Sequence, residues 1–133
     1  MLKTFLDAGV LIAAARGSET DRQRGLSILE DLARAFFATA FLYLELLPKA
    51  VFNQRHLEKV FYEKYFREAQ WVRNLDDIVG LARLEAEHAG LGAMDALHLA
   101  AAHLAGATEF ITTERPTAPM YRSTLVKIVC FYQ

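Results

Sequence analysis

Hydrophobic and polar positions follow two rhythms along the chain. Short apolar runs over residues 3–6, 36–39, 70–72, 110–113 and 126–131 predict strands. Between them the spacing becomes helical. Residues 10–15 predict a short helix stopped near Gly17. Ser18, with Asp21 three positions on, marks the start of a helix running to about Arg34, with Leu26, Leu29, Leu32 and Ala33 on one face. Residues 41–53 predict a third helix. A kink or break is expected near 44–47, because Pro48 lacks an amide donor and crowds the preceding turn. Further helices are predicted over 56–67, over 75–89 with a stop at Gly90, and over 92–104 with a stop at Gly106. Strands alternating with helices imply a mostly parallel sheet with helices on both faces, an α/β/α sandwich in three layers. No linker, repeat or low-complexity segment interrupts the pattern, so residues 1–133 read as one domain.

Composition narrows this picture. At 133 residues and 53% hydrophobic content the chain can bury a real core and is not a disordered segment. A lone cysteine, Cys130, excludes an intrachain disulfide and any zinc site built on several thiolates, and suits a reducing compartment. The net charge of -1 argues against a nonspecific DNA binder. Near the start, Lys3 and the following apolar residues imitate a targeting signal, but Asp7 interrupts the run. No stretch is long enough to span a bilayer, and a soluble, cytoplasmic protein is expected.

Candidate chemistry lies in four acids, Asp7, Glu45, Asp95 and Glu114, which fall after predicted strands or near helix starts. In an open α/β sheet, ligands bind outside the carboxyl ends of the strands where strand order reverses. Carboxylates meeting there repel one another unless a hard divalent cation, Mg²⁺ or Mn²⁺, neutralises them. Each acid has a plainer reading. Asp7 suits a helix N-cap, and Asp95 complements a helix dipole in a first turn. Glu114 reads as a loop acid. Glu45 is harder to explain away, because Leu42, Tyr43, Leu44, Leu46 and Leu47 surround it and an unpaired charge is costly to bury.

Taken together, FLDAGVLIAA, LYLELL, AMDALHLAAAHLAGA and FITTERP make the chain resemble the PIN-domain nucleases, most closely the toxin ribonucleases of the VapC type. The resemblance covers most of the chain, and the segment from Asp95 through Glu114 is its most specific part. It implies a PIN-like sandwich, a Mg²⁺ or Mn²⁺ site, endoribonuclease action on RNA, a small antitoxin protein as partner and a homodimer. By position it makes Asp7, Glu45, Asp95 and Glu114 the catalytic and metal-binding acids, with Asp7 and Asp95 nearest the metal. Thr113 and Arg115 are candidate support for the site. Two positions depart from the family. Gly9 stands where Ser, Thr or Asn is frequent, and Glu114 where Asp is common.

Other constellations carry less. Between Lys49 and Arg73, basic and aromatic residues interleave. Such an arm can grip nucleic acid, but most of its aromatics read as core, and Phe61 and Tyr65 are expected at a partner interface. Glu85 and His88 read as a surface helix pair. His98 follows Asp95 by three residues, within reach of its carboxylate, and more often such a histidine is simply packed. Arg115 and Arg122 flank the last acid and suit phosphate contact or a solvated surface equally. Two other functions compete with the nuclease: a catalytically silent PIN-like module that binds a partner, and a receiver-like phosphorylation domain. The receiver-like reading is weakened because Asp7 stands alone and Lys127 opens a strand.

Overall fold

A computed structural model describes all of residues 1–133. The strands are β1 (Leu2–Leu6), β2 (Arg34–Ala38), β3 (Gln70–Trp71), β4 (Glu109–Thr112) and β5 (Ile128–Cys130). The helices are α1 (Ala8–Arg16), α2 (Glu19–Leu29), α3 (Ala40–Phe52), α4 (His56–Glu68), α5 (Leu75–Ala89) and α6 (Ala93–Leu104), and a 3₁₀ turn covers Pro119–Arg122. The sheet is wholly parallel, in the order β3-β2-β1-β4-β5. Chain direction across the sheet therefore reverses between β1 and β4, which puts a crevice at their carboxyl ends.

The three central strands divide their side chains between two cores, as a period of two requires. Leu6, Ala38 and Ile111 face one side, where they pack with α1, α3 and α4 through Leu11, Leu42, Leu46 and Tyr62. Phe5, Phe37 and Phe110 face the other, against Ile78 of α5 and Leu99 of α6. Phe5 and Phe110 stack with ring centroids 5.4 Å apart. α6 meets this sheet face with Ala96, Ala100, Ala101 and Ala102, all buried. Small side chains there leave room for the phenylalanines.

Several predicted boundaries shift. α2 ends at Leu29 instead of near Arg34, and Leu32 is 92% exposed. Asp31 turns the chain by accepting from the Ala33 amide at 2.9 Å, and Arg34 enters β2 beside Glu109 of β4. No break accompanies Pro48, which sits inside a continuous α3. Leu46, Leu47 and Ala50 are buried around it, so core packing on both sides holds the helix through the missing hydrogen bond. Tyr65 is no interface residue. It is 7% exposed, and its hydroxyl donates to the Phe37 carbonyl at 2.7 Å across the core. Phe61 is partly buried against the same core. The exposed apolar side chains of this arm are Val51, Phe52, Leu57 and Val60. Glu85 is likewise not a surface residue but 6% exposed, while His88 is exposed. No helix is long and apolar enough to cross a membrane.

Candidate active site at the carboxyl edge of the sheet

Asp7 is the residue between β1 and α1, and it does two things at once. Its Oδ1 accepts from the Ala8 amide at 2.8 Å as the N-cap of α1. Its Oδ2 accepts from the Thr112 hydroxyl at 2.8 Å, across the crevice from the end of β4. The Thr112 oxygen also accepts from the Glu114 amide at 3.1 Å, so one buried hydroxyl ties the first acid to the loop carrying the last. Pairing of β1 with β4, Leu6 opposite Ile111, sets this register.

Asp95 lies in the first turn of α6, below an N-cap, Gly92, whose lack of a side chain leaves the cap without a side-chain hydrogen bond. Burial pushes the Asp95 carboxyl above the usual carboxylate range, and the negative charges of Asp7, Glu114 and Glu45 push it the same way, while His98 draws it down. All three other predicted acids thus act on Asp95 electrostatically. Glu114 itself is exposed.

Glu45 lies in the second turn of α3, and its partner is histidine. His98, 1% exposed on α6, places its Nε2 on Glu45 Oε1 across the α3–α6 contact. Its Nδ1 is buried without a partner. An Nε2–H donating to the carboxylate accounts for the contact and leaves Nδ1 the lone-pair nitrogen. Sequence spacing pointed His98 toward Asp95. The structure sends it instead to Glu45, because residues three apart on α6 share a face and that face meets α3.

Gly9 and Thr113 are matched. A Cβ built on Gly9 would lie 2.1 Å from Thr113 Oγ1 and 3.2 Å from Thr113 Cβ. The threonine side chain fills the space that a residue at position 9 would claim. The apparent departure at Gly9 is therefore compensated sterically from the neighbouring strand end. Arg115 is exposed and lies over the Tyr132 ring, 4.3 Å from its centroid. Arg122 is bound to backbone: its Nε donates to the Ala89 carbonyl at 2.7 Å and an Nη to the Gly90 carbonyl at 2.9 Å, closing the end of α5. Thr112 is the residue that sequence reasoning passed over, and His98 the one it read as simply packed. A polar residue at a buried strand end was the available signal for the first.

The donor set suits a hard cation, since all four acids offer oxygen and Asp95 carries a charge conflict that bound positive charge would relieve. No three of the His, Cys, Asp and Glu side chains form a compact cage.

No family model matches the sequence, and no curated protein matches it. Solved structures do match its shape over nearly the whole length. A chain of VapBC2 from Rickettsia felis, solved bound to a DNA fragment from its promoter, aligns with TM-score 0.73 at 15% identity, covering 97% of this chain and 98% of that one. A chain of DNA-bound VapBC from Salmonella typhimurium aligns with TM-score 0.70 at 18% identity, covering 98% and 99%. FitAcB from Neisseria gonorrhoeae aligns with TM-score 0.66 at 16% identity, covering 97% and 98%. The chain thus has the three-layer α/β/α PIN-like fold, the fold it shares with chains of VapBC toxin–antitoxin complexes.

Proposed function

We propose that the protein is a metal-dependent endoribonuclease, the toxin of a toxin–antitoxin pair. The observation that carries this reading is the arrangement at the β1/β4 crevice: Thr112 ties Asp7 to the loop of Glu114, His98 of α6 holds Glu45 of α3, and Asp95 lies in the first turn of α6, where the charges of Asp7, Glu114 and Glu45 push its carboxyl up. A stable fold gains nothing from an acid whose charge three other acids oppose; a cation-assisted phosphodiester site does. Asp7 and Asp95 would hold Mg²⁺ or Mn²⁺ directly. Bound there, the metal would supply a more acidic water and offset charge on the phosphate. Thr112 and the Ala8 amide fix Asp7 through both of its oxygens, so its orientation is set before substrate arrives. His98 fixes Glu45 through one oxygen and leaves the other to receive a proton or orient water. Glu114, exposed at the mouth, would meet metal-bound water or substrate. The exposed Phe52, Leu57 and Val60 of α3 and α4 supply an apolar face for an antitoxin or a second copy.

The decisive experiment incubates single-stranded and structured RNA with the protein in Mn²⁺ or in EDTA. Wild type cleaves only with metal. Asp95→Asn and Asp7→Asn each lose at least ~100-fold in rate, the several kcal/mol that metal-assisted charge stabilisation supplies, with circular dichroism unchanged. In a melting assay Mn²⁺ stabilises wild type by about 2.7 kcal/mol at ~100 times its dissociation constant and leaves Asp7→Asn unmoved. Cleavage persisting in pure Asp95→Asn sinks the site. A wild type indifferent to metal in both assays favours the silent partner-binding module.

A further inference from the structure

Beyond β5 the chain continues alongside the loop that carries Glu114. The Phe131 amide donates to the Thr112 carbonyl at 2.7 Å, so Phe131 continues the β4–β5 pairing to the edge of the candidate site, and Tyr132 follows it. Phe131 is an anchor. It is 2% exposed, and Arg24 of α2 donates to its carbonyl at 2.9 Å. Tyr132 is the opposite, 36% exposed, with its ring set edge-on to Phe131 at 5.3 Å between centroids. Over Tyr132 lies the guanidinium of Arg115, 4.3 Å from the ring centroid. Arg115 follows Glu114 directly and joins none of the chain's ion pairs.

We propose that Tyr132 and Arg115 form a stacking subsite for one nucleotide of a single-stranded RNA, on the flank of the acid cluster. The inference rests on the nuclease reading given above. A polyanion approaching four carboxylates is repelled until a cation meets it, and Arg115 is a cation in no ion pair, next in the chain to Glu114. Its arrangement also favours a nucleotide over a free phosphate. A guanidinium lying on an aromatic ring is a planar, partly exposed platform, and bases stack on both components. The ring sits on an anchored residue, so little ordering is needed on binding. The pairing of charge with a flat apolar surface is general for single-stranded nucleic acid and requires no particular base, because every base has a π-face.

The test measures binding apart from cleavage. A fluorescent single-stranded RNA oligonucleotide is titrated with protein in EDTA and followed by anisotropy, and cleavage is then measured in Mn²⁺. Tyr132→Leu raises the dissociation constant and KM about tenfold with kcat held, within the range for loss of one base–aromatic stack. Tyr132→Phe keeps wild-type affinity, because the ring remains. Arg115→Gln lowers the slope of log affinity against log salt by about 0.7, one phosphate contact on a single strand. Wild-type cleavage with an unchanged KM in Tyr132→Leu overturns the subsite and leaves the nuclease reading standing. A wild type that neither binds nor cleaves RNA overturns both. Unchanged RNA affinity together with an altered oligomer of Tyr132→Leu in sedimentation assigns the platform to protein contact and overturns the proposal.

Discussion

Both edges of the sheet carry acids, and they treat them in opposite ways. At the amino edge Glu109 of β4 is paired with Arg34 of β2, and the Thr4 hydroxyl donates to the same Glu109 oxygen at 2.6 Å. Arg34 Nε reaches Asp31 at 3.1 Å. The Ala33 amide, helped by Arg34, draws the Asp31 carboxyl below the usual range. At the carboxyl edge Asp7, Glu45, Asp95 and Glu114 share one neighbourhood and join no lysine or arginine in an ion pair. One edge has an arginine of the chain itself set between its two acids. The other leaves negative charge to be neutralised by something outside it. Such asymmetry marks the difference between holding a fold together and keeping a site ready for a ligand.

Breaking the paired edge should have the largest effect on stability. Arg34→Ala strands Glu109 at 12% side-chain exposure, and removing one partner of a buried pair costs about 3 kcal/mol. Replacing both, as Arg34→Met with Glu109→Leu, should recover much of that loss in urea denaturation. A double variant as unstable as Arg34→Ala would assign the cost to lost packing and not to the stranded charge.

An intermediate effect is expected where the open edge is packed most tightly. Gly9→Ala forces Thr113 aside, since the new methyl would sit 2.1 Å from its hydroxyl, and overpacking of this kind costs about 1–3 kcal/mol. Gly9→Ala with Thr113→Ala should restore most of the stability, because the compensating side chain is then gone. Equal melting temperatures for wild type and Gly9→Ala would show that the loop yields freely.

The smallest stability change should come from the acid cluster itself, with a sign opposite to that at the paired edge. Asp95 has a folded-state pKa raised above its unfolded value by burial and by neighbouring acids. Its protonation therefore favours the fold fully below the unfolded pKa. That contribution is lost as pH rises through the folded pKa. In EDTA, Asp95→Asn should melt at or above wild type at neutral pH, and the advantage should vanish in acid. A variant less stable than wild type at every pH would mean that Asp95 serves the fold as a dipole partner of α6.

Much of the architecture was legible because it depends on local rules. α5 runs over Leu75–Ala89 as its periodicity predicts, and Gly90 closes it with φ of 68°, a conformation that glycine adopts without strain. Ser18 caps α2 through the Asp21 amide, as the spacing suggested. Where reading failed, a distant partner decided. α2 stops early because Arg34 is held at β4, and Pro48 is absorbed because the core grips α3 on either side of it. Tyr65 shared a helical side with Leu57 and Val60 in sequence. Only the position of Phe37 shows that its hydroxyl belongs inside.

The candidate site divides along the same line. From the sequence alone came the alternation of strand and helix, the four acids, and their places after strands or in early turns of helices, because residue type and spacing are local properties of the chain. Only the tertiary structure decided that Thr112 would bridge Asp7 to the Glu114 loop, that His98 would turn to Glu45, that Thr113 would fill the space over Gly9, and that Arg115 would lie on Tyr132. Each of these contacts joins separate elements across a sheet whose order, with β1 beside β4, is set by burial of two cores at once. Burial of that kind is a sum over the whole chain, and no window of sequence contains it.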